Sequence, residues 1–394
     1  MRILWIPHAG WHIPQRAHHF CRELAKRHEV HVTDWVADFG GPRDYLSSRY
    51  LRNFTYRRRS DGGIAVHGIP RISPALYLPP LRRLNTALFA RWVRRIVVRE
   101  RIDVVVGTFV VPPPEAPRLV FDVFDDNVGL WRAHGRDGGY AADIAAVEAA
   151  YLRRADAVVV ASTVLGDRLR QAGYQGPLHV VPNGVRLRDF TPSDRTRGRA
   201  ALGLRGTVVG LVGNHDRRIE LEKVLEVAAR LSGLGATFLV VGRGEAIAWA
   251  RRTARERGLD HVRFVGFVPP DRVAPYVAAL DVGLCPYAKS PGADAQCPLR
   301  LLAYSAAGCA VVCTDLEEVR RMRFPNVVLV EDDVAAMAEG VLTALRLPRG
   351  RPAEVQRYDI EALARRYERV LLGIEPSDEA DATEGPFVLR RLGD

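Results

Sequence analysis

Asp156-Ala157-Val158-Val159-Val160-Ala161 is the stretch on which the fold turns. Three successive valines between alanines leave no polar face. The segment therefore predicts a short strand covered on both sides, as in a parallel sheet with helices above and below. Working outward, similar runs predict strands at 2–7, 29–36, 103–107 and 118–124, separated by amphipathic helices at 14–27, 81–101, 140–154 and 163–172. This alternation is the signature of parallel α/β architecture. Residues 37–80 interrupt it with Gly-Gly pairs at 40–41 and 62–63, prolines and many arginines, and read as irregular loops with room for one hairpin. A second cycle starts near residue 206, with strands predicted at 207–212, 236–241, 262–266, 281–286, 310–313 and 326–330. The turn-rich join is His179-Val-Val-Pro-Asn-Gly-Val-Arg-Leu-Arg-Asp-Phe-Thr-Pro192.

A chain of 394 residues, 47% hydrophobic, exceeds what one ordinary core organises, so two domains are expected. No apolar run approaches the roughly 20 residues that span a bilayer. Met1–Pro7 is too short for a signal peptide and reads as a buried strand. The five cysteines form no CxxC pair, which points to neither zinc nor a disulfide framework and fits a reducing cytoplasm. The net charge of +11 is uneven: residues 1–188 hold 28 Lys and Arg against 17 Asp and Glu, and the remainder is balanced. Such asymmetry suits an anionic partner, although arginines on solvated faces give the same count.

Several segments resemble, in order and spacing, family 4 glycosyltransferases of the GT-B fold. Val181-Pro-Asn-Gly-Val185 with Phe190-x-Pro192 resembles their interdomain motif, and Gly210-Leu-Val-Gly213 the glycine loop that opens their C-terminal domain. Val240-Val-Gly-Arg-Gly244, Val262–Val268 and Ala279–Leu284 match later strands. Pro298–Gly308 is similar to the donor-binding helix, and Ala362–Tyr367 to the final helix. Pro14-Gln-Arg-Ala-His18, Phe121-Asp-Val-Phe-Asp-Asp126 and Asp216-Arg-Arg-Ile-Glu-Leu221 resemble a branch associated with surface polysaccharides and lipid-linked acceptors.

The resemblance implies two Rossmann-like α/β domains whose parallel sheets face each other across a cleft. Residues 1–185 would form an acceptor-binding domain and 186–358 a nucleotide-sugar-binding domain. Residues 359–374 would be a helix crossing back to the first domain, and 375–394, polar and acidic, a disordered tail. The implied reaction is glycosyl transfer from a nucleotide sugar to an acceptor hydroxyl, retaining if family 4 is followed. The acceptor would be a glycan, a lipid-linked species or a small molecule. No cofactor and no metal are expected, because GT-B enzymes meet the leaving diphosphate with basic side chains and a helix N-terminus.

On that reading Gly213, Asn214, Arg218 and Arg300 are the diphosphate candidates. Arg218 and Arg300 supply guanidinium forks, and Gly210 and Gly213 leave the main chain open to phosphate. Pro298 is read as the first helical residue, with Leu299 and Arg300 on the first turn. Phe267 and Val268 would lie against the base, and Arg243 sits where open sheets bind ligands. The family's ribose-binding Glu is replaced by Ala303. Asp294 lies one residue from the usual earlier acid, so either Asp294 or another group meets a different donor, or the cleft is degenerate.

On the acceptor side, Asp126, or else Asp125, would accept the hydroxyl proton, the other capping the next segment or facing solvent. Gly10, His12 and His18 surround the first strand-to-helix loop, where His18 is either a ligand contact or structural. The basic stretches Leu81–Arg101 and Tyr45–Arg59 suit an anionic membrane surface, and equally a solvated helix face or single-stranded nucleic acid, which the GT-B context disfavours. The expected location is the cytoplasm, at or near the inner membrane face. Competing readings are a non-catalytic GT-B binding protein, for which Ala303 speaks, and an epimerase or phosphorylase on the same fold.

Overall fold

The computed structural model describes residues 1–8, 10–11, 15–34, 54–72, 79–108, 116–129, 140–215 and 219–374. The chain divides into two compact units: Met1–Pro182 joined by the residues from Leu363 onward, and Asn183–Ala362.

In the first unit the strands are β1 (Arg2–Ile6), β2 (Glu29–Asp34), β3 (Arg57–Asp61), β4 (Ile64–Gly68), β5 (Val104–Gly107), β6 (Leu119–Val123), β7 (Ala157–Val160) and β8 (Leu178–Val180). They form one sheet in the order β3-β4-β2-β1-β5-β6-β7-β8. All neighbours are parallel except β3 and β4, a hairpin closed by Gly62 and Gly63 at φ 58° and 87°. Two consecutive positive φ values are what a tight hairpin turn needs, so this glycine pair supplies the hairpin for which the irregular stretch left room. The valine run 158–160 is fully buried, as a central parallel strand requires.

The final helix, Ile360–Leu372, carries Tyr367 into this first unit, where its ring packs 5.2 Å from Trp5 and 5.0 Å from Phe20. Beside these rings Arg16 and Asp122 form a buried ion pair, Nε donating to both carboxylate oxygens at 3.1 Å, while Nη2 donates to the Val181 carbonyl at 2.7 Å. Burial pushes the Asp122 carboxyl up, and Arg16 opposes it. The first Asp of the Asp-x-x-Asp-Asp segment is thus a core group that ties the first helix, Arg16–Leu24, to β6.

The second unit contains β9 (Val208–Asn214), β10 (Thr237–Arg243), β11 (Val262–Gly266), β12 (Val282–Cys285), β13 (Ala310–Thr314) and β14 (Val327–Val330), all parallel. Their order is β11-β10-β9-β12-β13-β14. Counted within the unit this is 3-2-1-4-5-6, the order of dinucleotide-binding sheets, whose direction of winding reverses between the first and fourth strands. The reversal here lies between β9 and β12. The five cysteines are buried and form no disulfide. No helix among the described residues is long and apolar enough to cross a membrane.

Candidate functional site

At the reversal, β9 outruns β12: the two pair only at Val209 and Gly210, which leaves the Val212 peptide without a strand partner on that side. The helix Leu299–Ala306 fills the gap with two residues one turn apart. Tyr304 accepts the Val212 N–H at 2.8 Å, and Arg300 Nε donates to the Val212 carbonyl at 2.9 Å. Arg300 Nη2 also donates to the Asn214 carbonyl at 2.8 Å, and its guanidinium lies 5.8 Å from the Tyr287 ring. Gly213 has φ 132°, and a Cβ there would stand 3.2 Å from Arg300 Nη2. The missing side chain therefore makes room for the guanidinium. Arg300, Gly213 and Asn214 are brought together at the exposed end of the strand.

Gly210 plays a different part from the one expected. It lies mid-strand and buried, and a Cβ would meet Leu280 Cδ2 at 2.4 Å, so it serves packing rather than phosphate approach. The glycines of Val240-Val-Gly-Arg-Gly244 are also steric. Added Cβ atoms would meet the Gly213 carbonyl oxygen at 1.8 Å from Gly242 and the His215 carbonyl oxygen at 1.9 Å from Gly244. That close approach aligns Arg243 with Asn214 across the β9–β10 pair. Arg243 lies over the Phe267 ring at 4.9 Å, and Phe267 is 56% exposed, so an aromatic face and a cation stand together on the same sheet edge, beside half-buried Val268.

Pro298 is the N-cap rather than the first helical residue, and Leu299 begins the helix. Asn183, in the Pro-Asn-Gly motif, donates from Nδ2 to the Cys297 carbonyl at 2.7 Å and so fixes the approach to that helix. Asp294 Oδ1 accepts from Lys289 Nζ at 2.7 Å and from the Glu317 N–H at 3.0 Å. Its carboxylate thus anchors two loops. Arg218, with Asp216 and Arg217, lies outside the described residues, as do His12 and most of Tyr45–Arg59.

In the first unit, Asp126 Oδ1 accepts the Gly129 N–H at 2.8 Å, and Arg168 stands 3.6 Å from the other oxygen. Asp126 thus caps the turn that follows β6, while Asp125 is half-buried just before it. Sequence reading passed over Glu148, on the helix Tyr140–Arg154. Burial, then the charge of Asp126, push its carboxyl up to about 7, with the Asn127 amide offsetting part of this. A carboxyl balanced near neutral pH is suited to proton transfer. Nothing in the spacing of Glu148 marks it, because the shift arises from tertiary neighbours.

Gly10 is buried beside Trp11. His18 is also buried and engaged through both ring nitrogens. Nδ1 accepts the Gln15 N–H at 3.2 Å, so Nε2 carries the proton it donates to the Trp11 carbonyl at 2.5 Å, and the ring stacks on Trp11 at 3.7 Å. Burial lowers its pKa to about 4. His18 is a neutral capping residue of the first helix, which corresponds to the structural alternative. Among the described residues no three His, Cys, Asp or Glu side chains converge to hold a metal ion.

Comparison with known proteins agrees with this architecture. The family described as "Glycosyltransferase Family 4" matches residues 14–189, and "Glycosyl transferases group 1" matches 206–346. The glycosyltransferase TuaH of Bacillus subtilis (strain 168), named for teichuronic acid biosynthesis, is 31% identical over 188 residues, 47% of this chain and 46% of that protein. The chain spans about half the length of the curated relatives it matches. Among solved structures, sucrose-phosphate synthase of Thermosynechococcus elongatus aligns with TM-score 0.74 at 19% identity, covering 95% of this chain and 99% of that one. Anabaena HepE in complex with UDP aligns with TM-score 0.65 at 16% identity, covering 95% and 100%. These likenesses establish the fold as GT-B.

Proposed function

From its membership of the family 4 and group 1 glycosyltransferases, we propose that this chain moves a glycosyl group from a nucleoside-diphosphate sugar to an acceptor hydroxyl. The observation that carries the reading is Arg300, held by two backbone carbonyls at the reversal point of a nucleotide-type sheet, beside Gly213 and Asn214. As the bond from the anomeric carbon to the diphosphate oxygen breaks, negative charge grows on the diphosphate. A fixed guanidinium meets that charge without reorganising, and a metal is not required. Arg218 is assigned the same task on the family pattern. Phe267 and Arg243 offer a stacked aromatic and cation for the base. That HepE was solved with UDP and UDP-glucose supports a nucleotide-sugar donor.

The acceptor is assigned to the first unit. As its oxygen bonds the anomeric carbon, its proton passes to a carboxylate, either in the turn after β6 or on the helix Tyr140–Arg154. Asp126 and Glu148 form the pair available, and Glu148, at about 7, is the better matched. We assign the acceptor to a surface glycan or its lipid-linked precursor. The name of the Bacillus relative and the basic first half support this, and favour a protein in the cytoplasm at the membrane's inner face. Transfer is retaining, as in family 4. A second reading, a nucleotide-binding protein without transfer, draws on Ala303 standing where the family has Glu.

The test is a panel of nucleoside-diphosphate sugars incubated with the full chain and candidate acceptors in EDTA. Acceptor-dependent release of nucleoside diphosphate is expected, with the anomeric proton coupling of the product showing retention. Stabilisation by nucleotide with no release under any pairing would select the second reading.

A further inference from the structure

The first unit holds a cavity of about 860 Å³ along the C-terminal half of the helix Pro79–Arg99, which the transfer reading does not use. Its wall combines Tyr56 and Trp92 with Arg91, Arg95, Arg99 and Glu100. The two aromatic rings are stacked flat, centroids 4.8 Å apart and planes within 2°, and the Arg95 guanidinium lies over Trp92 at 5.1 Å. Tyr56 is fixed from behind by a chain of hydrogen bonds that runs through the buried rings of His67 and His31. Its hydroxyl meets His67 Nδ1 at 2.7 Å, His67 Nε2 meets His31 Nδ1 at 2.9 Å, and His31 Nε2 meets Glu29 at 3.1 Å. The Glu29 carboxylate only accepts, so with neutral rings each link runs one way and ends with the Tyr56 hydroxyl donating inward to His67. The ring is thereby held against Trp92, and Trp92 under Arg95.

The charge in the wall is not balanced. Glu100 is met by both Arg58 at 3.4 Å and Arg99 at 3.7 Å. Arg91 and Arg95 have no carboxylate partner among the described residues, lie one helical turn apart and are exposed. Two unneutralised guanidinium groups on one face, one pre-oriented by stacking, match the oxygens of a phosphate. We propose that this cavity binds the phosphate group of a phosphorylated ligand, with Arg91 and Arg95 as its donors. The proposal is independent of the transfer chemistry and gives the basic first unit a recognition role.

The experiment measures binding, not turnover, so it stands whether or not transfer is found. Glycerol 3-phosphate is titrated into the full chain by calorimetry, and flotation with phosphatidylglycerol and with phosphatidylcholine vesicles is run in parallel. The variant R91A/R95A is compared with R252A/R255A, which removes the same charge from an exposed helix of the second unit. Weakening of at least tenfold for R91A/R95A alone is expected. If glycerol 3-phosphate releases the protein from phosphatidylglycerol vesicles, the phosphate is a lipid headgroup. If it binds while neither vesicle does, the ligand is a soluble phosphate ester. Equal weakening by both variants would reduce the effect to net charge and overturn the proposal, as would undiminished binding by R91A/R95A or no binding to any probe.

Discussion

Replacing Glu148 by Gln should make the protein more stable in mild alkali while changing its pH–activity profile. The carboxyl moves from its ordinary 4.5 to about 7 through burial and the charge of Asp126. Below pH 4.5 the group is protonated in folded and unfolded chains alike and costs nothing. As pH rises from 4.5 toward 7 the unfolded chain ionises freely while the folded site resists, so stability is lost and the penalty is complete above about 7. At about 1.4 kcal/mol per pH unit, and allowing for partial solvent access, this amounts to roughly 2–3 kcal/mol. The glutamine side chain keeps the shape without the charge and escapes the penalty. Urea denaturation of wild type and E148Q at pH 4.5 and pH 8 reads the difference directly: near equality at the lower pH, and E148Q ahead at the higher. In the transfer assay the wild-type limb near pH 7 should disappear with the substitution. Equal stabilities at both pH values would refute the burial argument, and an unchanged limb would remove Glu148 from proton transfer.

Three further outcomes concern the supporting structure. Arg16→Met strands the Asp122 carboxylate in the core and should cost about 3–5 kcal/mol at pH 8, and less as pH falls because burial favours the protonated carboxyl; a pH-independent loss in urea titrations would contradict the ion-pair account. Tyr304→Phe leaves the Val212 N–H without an acceptor and should lower stability by about 1–3 kcal/mol, with several-fold weaker nucleoside-diphosphate binding in calorimetry; unchanged binding would separate the strand end from the ligand. His18, held at about 4, is neutral above pH 6.5 and resists protonation below it, so the folded state loses stability as pH falls from 6.5 toward 4. His18→Gln should flatten that part of a melting-temperature profile, and a slope equal to wild type would count against it.

The two sheets were legible because their central strands are unbroken apolar runs such as Ala157–Val160 and Val208–Val212, which have few alternatives to burial. The positions of Arg300, Gly213, Asn214, Arg243 and Phe267 along one sheet edge followed from strand order, which motif order supplied. What a side chain touches did not follow. Gly210 reads like Gly213 in sequence, yet only the latter faces Arg300, since alternate strand residues point to opposite faces. Arg16 and Asp122 are 106 positions apart, and no local pattern pairs them. His18 carries the branch motif but spends both nitrogens on a helix cap, and Glu148 acquires its character only from Asp126 and burial. On the helix Pro79–Arg99, Val93, Ile96 and Val97 are buried while the apolar Leu84 is 46% exposed. Register against the sheet, rather than periodicity alone, chose its inner face.

The central claim is that Arg300, anchored at the end of β9, is the counter-charge for the donor diphosphate. Calorimetric titration of nucleoside diphosphates into wild type, Arg300→Ala and Arg300→Lys, each checked for an intact circular-dichroism spectrum, tests it most directly. At least tenfold weaker binding is predicted for Arg300→Ala, about 1.4 kcal/mol, with Arg300→Lys between it and wild type because charge remains while the fork is lost. Wild-type affinity in a folded Arg300→Ala protein would contradict the account.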